Sequence, residues 1–180
     1  HRVLTGACAA MLVAAAAPVA TAGEWIKLSD GLSFSDVGRF VVSPDGRYVA
    51  YTHDAAVDGA DELYIAAVQG GTPVRLSALL PSGSWVGPFA FTPDSSRVVY
   101  TAPQDEAGVH ELYSAPVSGG SYTKLNAALE SGDWVTRFEI SPDGIRVVYG
   151  AGIPGNPLGY VEIYSVPVGG GTVQDLGVGG

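Results

Sequence analysis

A pattern with an offset of 49 residues recurs along this chain and limits the folds open to it more than any other feature. Ser43-Pro-Asp-Gly46 returns as Thr92-Pro-Asp-Ser95 and again as Ser141-Pro-Asp-Gly144, each 49 residues after the last. Val37, Val86 and Val135 keep this register, as do Phe40, Phe89 and Phe138, and Tyr51, Tyr100 and Tyr149. Glu62-Leu-Tyr64 becomes Glu111-Leu-Tyr113 and then, two residues late, Glu162-Ile-Tyr164. Each copy next carries a Gly-Gly pair, at Gly70, Gly119 and Gly170, and ends on Leu76, Leu125 or Leu176. Trp85 and Trp134 share the register, with Asp36 at that place in the first copy.

Within a copy the apolar residues alternate, the period of a strand with one buried face. The pattern predicts strand a over 39–42, a Ser-Pro-Asp-Gly turn, strand b over 48–52, a variable loop, strand c over 62–68, a Gly-Gly turn and strand d over 73–77. Proline presets φ in the first turn, aspartate bonds to nearby backbone, and glycine accepts positive φ. A four-stranded sheet repeated end to end cannot bury both faces alone, whereas radial stacking covers them. The predicted fold is therefore all-β: a β-propeller fragment of three four-stranded blades, over 37–77, 86–126 and 135–177. The Val, Phe and Tyr positions are expected to pack between blades.

The two ends extend this reading. Trp25-Ile-Lys-Leu-Ser29 resembles strand d of the repeats, so 24–29 is expected to be the outer strand of a closing blade. Three blades are fewer than the usual minimum of about four, so the intact protein is expected to be longer and this chain an open arc. At the other end Arg2 precedes an Ala-rich apolar run ending at Pro18, then the small-x-small site Ala20-Thr21-Ala22. This is the pattern of a signal peptide over 1–22, with the propeller occupying 23–180. A periplasmic or secreted location follows, with no membrane span in the mature chain. Cys8 is the single cysteine and lies in the leader, so the mature chain would hold no thiol nucleophile and no disulfide. Thr5-Gly6-Ala7-Cys8 is a weak likeness to a lipoprotein acylation site, placed before most of the apolar run instead of after it.

The formal net charge of −9 excludes nucleic acid as an expected partner, because a phosphate backbone needs a basic surface. It favours cationic partners or divalent cations. No Gly-x-Ser-x-Gly elbow occurs, and His53 and His110 lack a partner at zinc-site spacing. No cofactor is expected, although Asp54, Asp58 and Asp61 in one b–c loop, and Asp105 and Glu106 in the next, leave calcium open. Asp45, Asp94 and Asp143 recur identically in the turns, as turn-forming residues should.

Alternation along the blade sends the b–c and d–a loops to one end and the a–b and c–d turns to the other. The turns are nearly invariant between copies, and the loops differ in length and charge. Recognition is therefore expected at the loop end, with Asp54, Asp58, Asp61, Trp85, Asp105, Glu106 and Trp134 as ligand-binding candidates. The tryptophans could anchor a peptide or a sugar ring, but their regular spacing favours packing between blades.

Ser-Pro-Asp-Gly, then a Val/Ala-rich strand ending in Tyr, then Glu-Leu-Tyr, Gly-Gly and Lys/Arg-Leu, together resemble the TolB-like propeller repeat, a WD-like repeat of the Pro-Asp-Gly type, over nearly all of 24–176. The resemblance implies a non-enzymatic scaffold that binds a protein or other ligand in the cell envelope or outside the cell. The alternative it implies is the substrate-gating propeller of a truncated prolyl oligopeptidase-type serine peptidase, since similar blades occur there.

Overall fold

The computed structural model describes residues 26–29, 37–54, 56–130, 132–152 and 161–177. The expected signal peptide, Trp25, Asp36 and the third b–c loop lie outside the described residues.

Twelve strands follow the repeat. The first blade holds β1 (Phe40–Val42), β2 (Tyr48–His53), β3 (Glu62–Ala67) and β4 (Val74–Arg75). The second holds β5 (Phe89–Phe91), β6 (Arg97–Ala102), β7 (Glu111–Pro116) and β8 (Thr123–Lys124). The third holds β9 (Trp134–Ile140), β10 (Arg146–Gly152), β11 (Glu162–Pro167) and β12 (Gln174–Asp175). Each set is one antiparallel sheet with strands in chain order, the meander of a propeller blade. The outer strand is shorter than predicted, two residues in place of five, and β9 starts earlier, at Trp134.

The repeated residues form one row across each blade. Phe40 pairs with Tyr51, Tyr51 with Tyr64, and Tyr64 with Arg75. Phe89, Tyr100, Tyr113 and Lys124 repeat the row, as do Phe138, Tyr149, Tyr164 and Asp175. The paired tyrosine rings stack in all three blades, with centroids 6.1, 5.7 and 5.2 Å apart.

The core lies between blades. Ala50, Leu63 and Ile65 of the first blade pack against Phe89, Phe91, Val98 and Tyr100 of the second. Val99, Leu112 and Leu125 on the second blade's other face pack against Val135, Val147, Tyr149 and Val166 of the third. The same sequence position is buried or exposed according to which blade precedes it: Phe89 is 2% exposed and Phe40 66%.

Residues 26–29 sit where the outer strand of a preceding blade belongs. Tyr51 Oη donates to the Leu28 carbonyl at 3.2 Å, as Tyr100 Oη donates to Leu76 at 3.2 Å. Ile26 faces Gly70 as Val74 faces Gly119 and Thr123 faces Gly170; a Cβ on those glycines would lie 3.1, 2.7 and 2.7 Å from the neighbouring side chain.

At the turn end, the aspartate of each Pro-Asp turn is locked locally. Asp45 accepts the Ser43 hydroxyl at 2.6 Å and the Arg47 amide at 3.0 Å, and Asp94 and Asp143 do the same in their turns. These hydrogen bonds, the hydroxyl's foremost, hold all three carboxyls below the usual range. Gly46 and Gly144 take the left-handed conformation that the turn demands, and Ser95 takes it in the second blade at φ 60°. Buried Ser95 accepts the Asp45 amide at 3.1 Å, which ties the second turn to the first.

Candidate functional site

The loop end is built from contacts between successive blades. The loop after β2 meets the segment leading to β5: Gly83 N donates to Gly59 O at 2.8 Å, and Ser82 Oγ to Asp58 O at 3.0 Å. Just before β3, Asp61 forms a parallel bridge with Trp85. Asp61 N donates to Ser84 O at 3.0 Å, and Val86 N to Asp61 O at 2.8 Å. One repeat later the bond recurs, from Val135 N to His110 O at 2.8 Å. His110 thus holds the place of Asp61, and Trp134 that of Trp85.

This register assembles an aromatic array that local sequence does not announce. The Trp85 ring lies 5.3 Å from His110, tilted by 46°, and His110 meets Trp134 edge-on at 5.6 Å. His110 is a loop histidine as expected, the last residue before β7, but it is buried, and burial holds its imidazole below the usual histidine range; His53, expected in a loop, ends β2. Trp85 is 54% exposed and Trp134 half-buried. The expected packing of both tryptophans between blades is therefore corrected for Trp85: the bonds that Asp61 makes to Ser84 and Val86, on either side of it, hold it at the rim, where its side chain is more than half exposed.

The acidic candidates divide into groups. Asp58 and Asp61 are exposed beside Trp85, in the loop tied to it. Asp54 is half-buried at the end of β2, its Oδ1 3.7 Å from Nδ1 of buried His53. Asp105 and Glu106 are exposed in the second b–c loop, with Asp105 3.4 Å from Lys124 Nζ. Among the described residues, no three His, Cys, Asp or Glu side chains are grouped to hold a metal ion, so the calcium expectation gains no donor set.

In the sequence Glu-x-Tyr is a repeat marker only; in the fold it is a polar cluster, buried in the first two blades. Glu62 is 0% exposed; it accepts the Tyr64 hydroxyl at 3.1 Å and the Ala56 and Leu80 amides at 3.3 and 3.4 Å, with Arg75 3.9 Å away. Glu111 repeats this with Tyr113 at 3.0 Å and an ion pair to Lys124. In the third blade Glu162 is exposed; it still takes the Tyr164 hydroxyl, but Asp175 stands where the base stood. The signal was present as a base 13 residues after Glu62 and Glu111, and an acid 13 after Glu162. These pairs close the sheets from inside and neutralise each other. Among the described residues, Asp58, Asp61, Glu106, Glu130 and Asp133 remain at the loop end without an ion pair, with exposed Arg137 three residues after Trp134.

The concave side, by contrast, is a groove across the three inner strands. Its cavity is about 540 Å³, lined by Arg39, Pro88, Phe89, Phe138 and Glu139 among others. The Arg39 guanidinium lies over the Phe89 ring, 5.0 Å from its centroid. Among the described residues its lining is mostly proline, phenylalanine and aliphatic side chains, with Arg39 and Glu139 as the charged ones.

A family profile described as the lipoprotein LpqB β-propeller domain matches residues 23–165. No curated protein matches the chain. Among solved structures, a putative TolB from Agrobacterium tumefaciens is 19% identical over 76% of this chain and 63% of its own, with a TM-score of 0.38. A structure from a study of two prolyl endopeptidases gives a TM-score of 0.59 at 17% identity, over 80% of this chain and 22% of that one. An oligogalacturonate lyase in complex with manganese gives 0.53 at 19% identity, over 77% and 40%. The chain therefore spans less than two thirds of each of these proteins, and with the prolyl endopeptidase and lyase structures the shared feature is the fold.

Proposed function

The chain belongs to the LpqB-type β-propeller domain family, and on that premise we propose that it is a non-catalytic scaffold, periplasmic or secreted, that binds a protein or other ligand through its acidic b–c and d–a loop end. The observation that carries this reading is the contrast between the two ends. At the turn end each aspartate is consumed by the hydroxyl and amide of its own turn, and Asp45 also has the Arg47 charge beside it. At the loop end an exposed indole on a fixed backbone bridge stands near acids, Asp58 and Asp61, that have no ion pair among the described residues. A rigid aromatic surrounded by polar groups is the composition of a recognition surface. The family match and the TolB-like repeat support an extracytoplasmic location.

A photo-crosslinking amino acid tests the choice of end. Placed at Asp58 or Glu106 in cells producing the chain, it should yield discrete adducts, and placed at Gly46 or Ser96 it should not. Adducts confined to the turn positions would overturn the reading.

A further inference from the structure

Resting on this loop-end reading, we infer that Trp85 and Asp61 form a socket for an arginine or lysine side chain, so that the partner presents a basic, extended peptide segment. In a parallel bridge the two paired residues project to the same side of the sheet. Asp61 and Trp85 are such a pair, and both are exposed. A carboxylate thus stands beside an indole that His110 backs from behind at 5.3 Å. A flat cation laid on the open side of the indole meets the negative face of its π-system and the carboxylate together. Neither group is spoken for among the described residues: the bridge uses only the Asp61 backbone, Arg75 and Lys124 are held by Glu62 and Glu111, and Arg39 lies over Phe89.

The surroundings extend the site along the rim. Asp58 lies in the loop that contacts the Trp85 segment, and the repeat places Trp134 against His110 one blade on, with Glu130 and Asp133 before it. A chain running across both blades would find an aromatic ring and acids at two successive stations. An acidic partner is repelled by the same groups. A neutral sugar could stack on Trp85 but would leave Asp61 without a charge to meet.

The chain holds three tryptophans, so its ¹H–¹⁵N spectrum carries three indole signals, and Trp85→Phe assigns that of Trp85. The probe is acetyl-Gly-Arg-Gly-Arg-Gly-amide, compared with the same peptide carrying citrulline, which keeps the shape of arginine without its charge. The arginine peptide should move the Trp85 and Trp134 indole signals and bind at least about fivefold more tightly than the citrulline peptide. Asp61→Asn should remove that advantage and leave the citrulline peptide unaffected, while the dispersed spectrum shows that the fold is kept. Added salt should weaken only the arginine peptide. Equal affinities for the two peptides at Trp85 would overturn the cation socket and leave the loop-end reading intact. Shifts confined to the Ser-Pro-Asp turns would overturn both. No shift with either peptide at millimolar concentration would overturn the socket alone.

Discussion

Replacing Glu62 by glutamine and, separately, Glu162 by glutamine sets one tripeptide motif against two environments. Glu62 is fully buried and takes three hydrogen bonds, with Arg75 at 3.9 Å. Its two oxygens share these partners: Oε2 faces the Tyr64 hydroxyl and the Ala56 amide, and Oε1 faces the Leu80 amide and Arg75. Glutamine has one carbonyl, so on one side its NH₂ must point at donors. Bonds to a charged group contribute about 1.5–3 kcal/mol and neutral ones about 0.5–1.5, so weakening the two Oε2 bonds and losing the Oε1 bond would cost roughly 5 kcal/mol at mid-range. Two terms reduce this. The amide bonds are long, and a neutral side chain is cheaper to bury than an ion whose base is one-third exposed. The expected loss for Glu62→Gln is about 2 kcal/mol. Glu162 is exposed and faces no base, so Glu162→Gln should change stability by no more than about 0.5 kcal/mol. Urea unfolding at pH 7, followed by circular dichroism, measures both. Equal effects would mean that burial does not set the worth of this carboxylate, and the account of the blade interior would fail.

Ser95 offers a finer balance. Ser95→Ala keeps the strained φ and loses the bond to Asp45, and should destabilise by about 1 kcal/mol, whereas Ser95→Gly relieves the strain as it loses the bond and should fall within about 0.5 kcal/mol of the parent in the same urea assay. Gly46 and Gly119 are both left-handed, but a Cβ meets nothing within 4 Å at Gly46 and would lie 2.7 Å from Val74 at Gly119. Gly46→Ala should cost about 1 kcal/mol and Gly119→Ala clearly more, the excess reporting the contact between blades; equal melting midpoints would refute that contact. The three turn aspartates have folded values below their ordinary 3.8, so their contribution is complete above that value and is lost as pH falls through the lower folded values. An acid titration of the melting temperature should therefore turn down below about pH 4, and the triple Asp45, Asp94, Asp143→Asn variant should lose that part of the slope.

Much of the architecture was legible because strand geometry is local. Alternation of apolar residues, a turn chemistry that repeats with the same spacing and a Gly-Gly pair in each copy define four strands and their register from neighbours a few residues apart. The row from Phe40 through Tyr51 and Tyr64 follows from that register alone, and so does the division into a constant and a variable end. The likeness of residues 26–29 to strand d was legible in the same way, and the Tyr51–Leu28 bond fits it.

Other features depend on how one blade lies on the next, which no local pattern encodes. Phe40 and Phe89 are the same residue at the same repeat position, yet one is in solvent and the other is core, because only the second has a blade against it. The periodicity of Trp85 and Trp134 pointed to burial between blades, but the parallel bridge to Asp61 brings Trp85 to the rim and sets it on His110. Glu62, Glu111 and Glu162 share a motif, and only packing makes the first two buried partners of a base and leaves the third exposed beside an acid. The repeat, its four strands and its turns depend on residues close in the chain, and the acidity on composition alone, so all are read without the fold. The tertiary structure decided which side chains meet across blades, and hence where an exposed aromatic ring and a free carboxylate stand together.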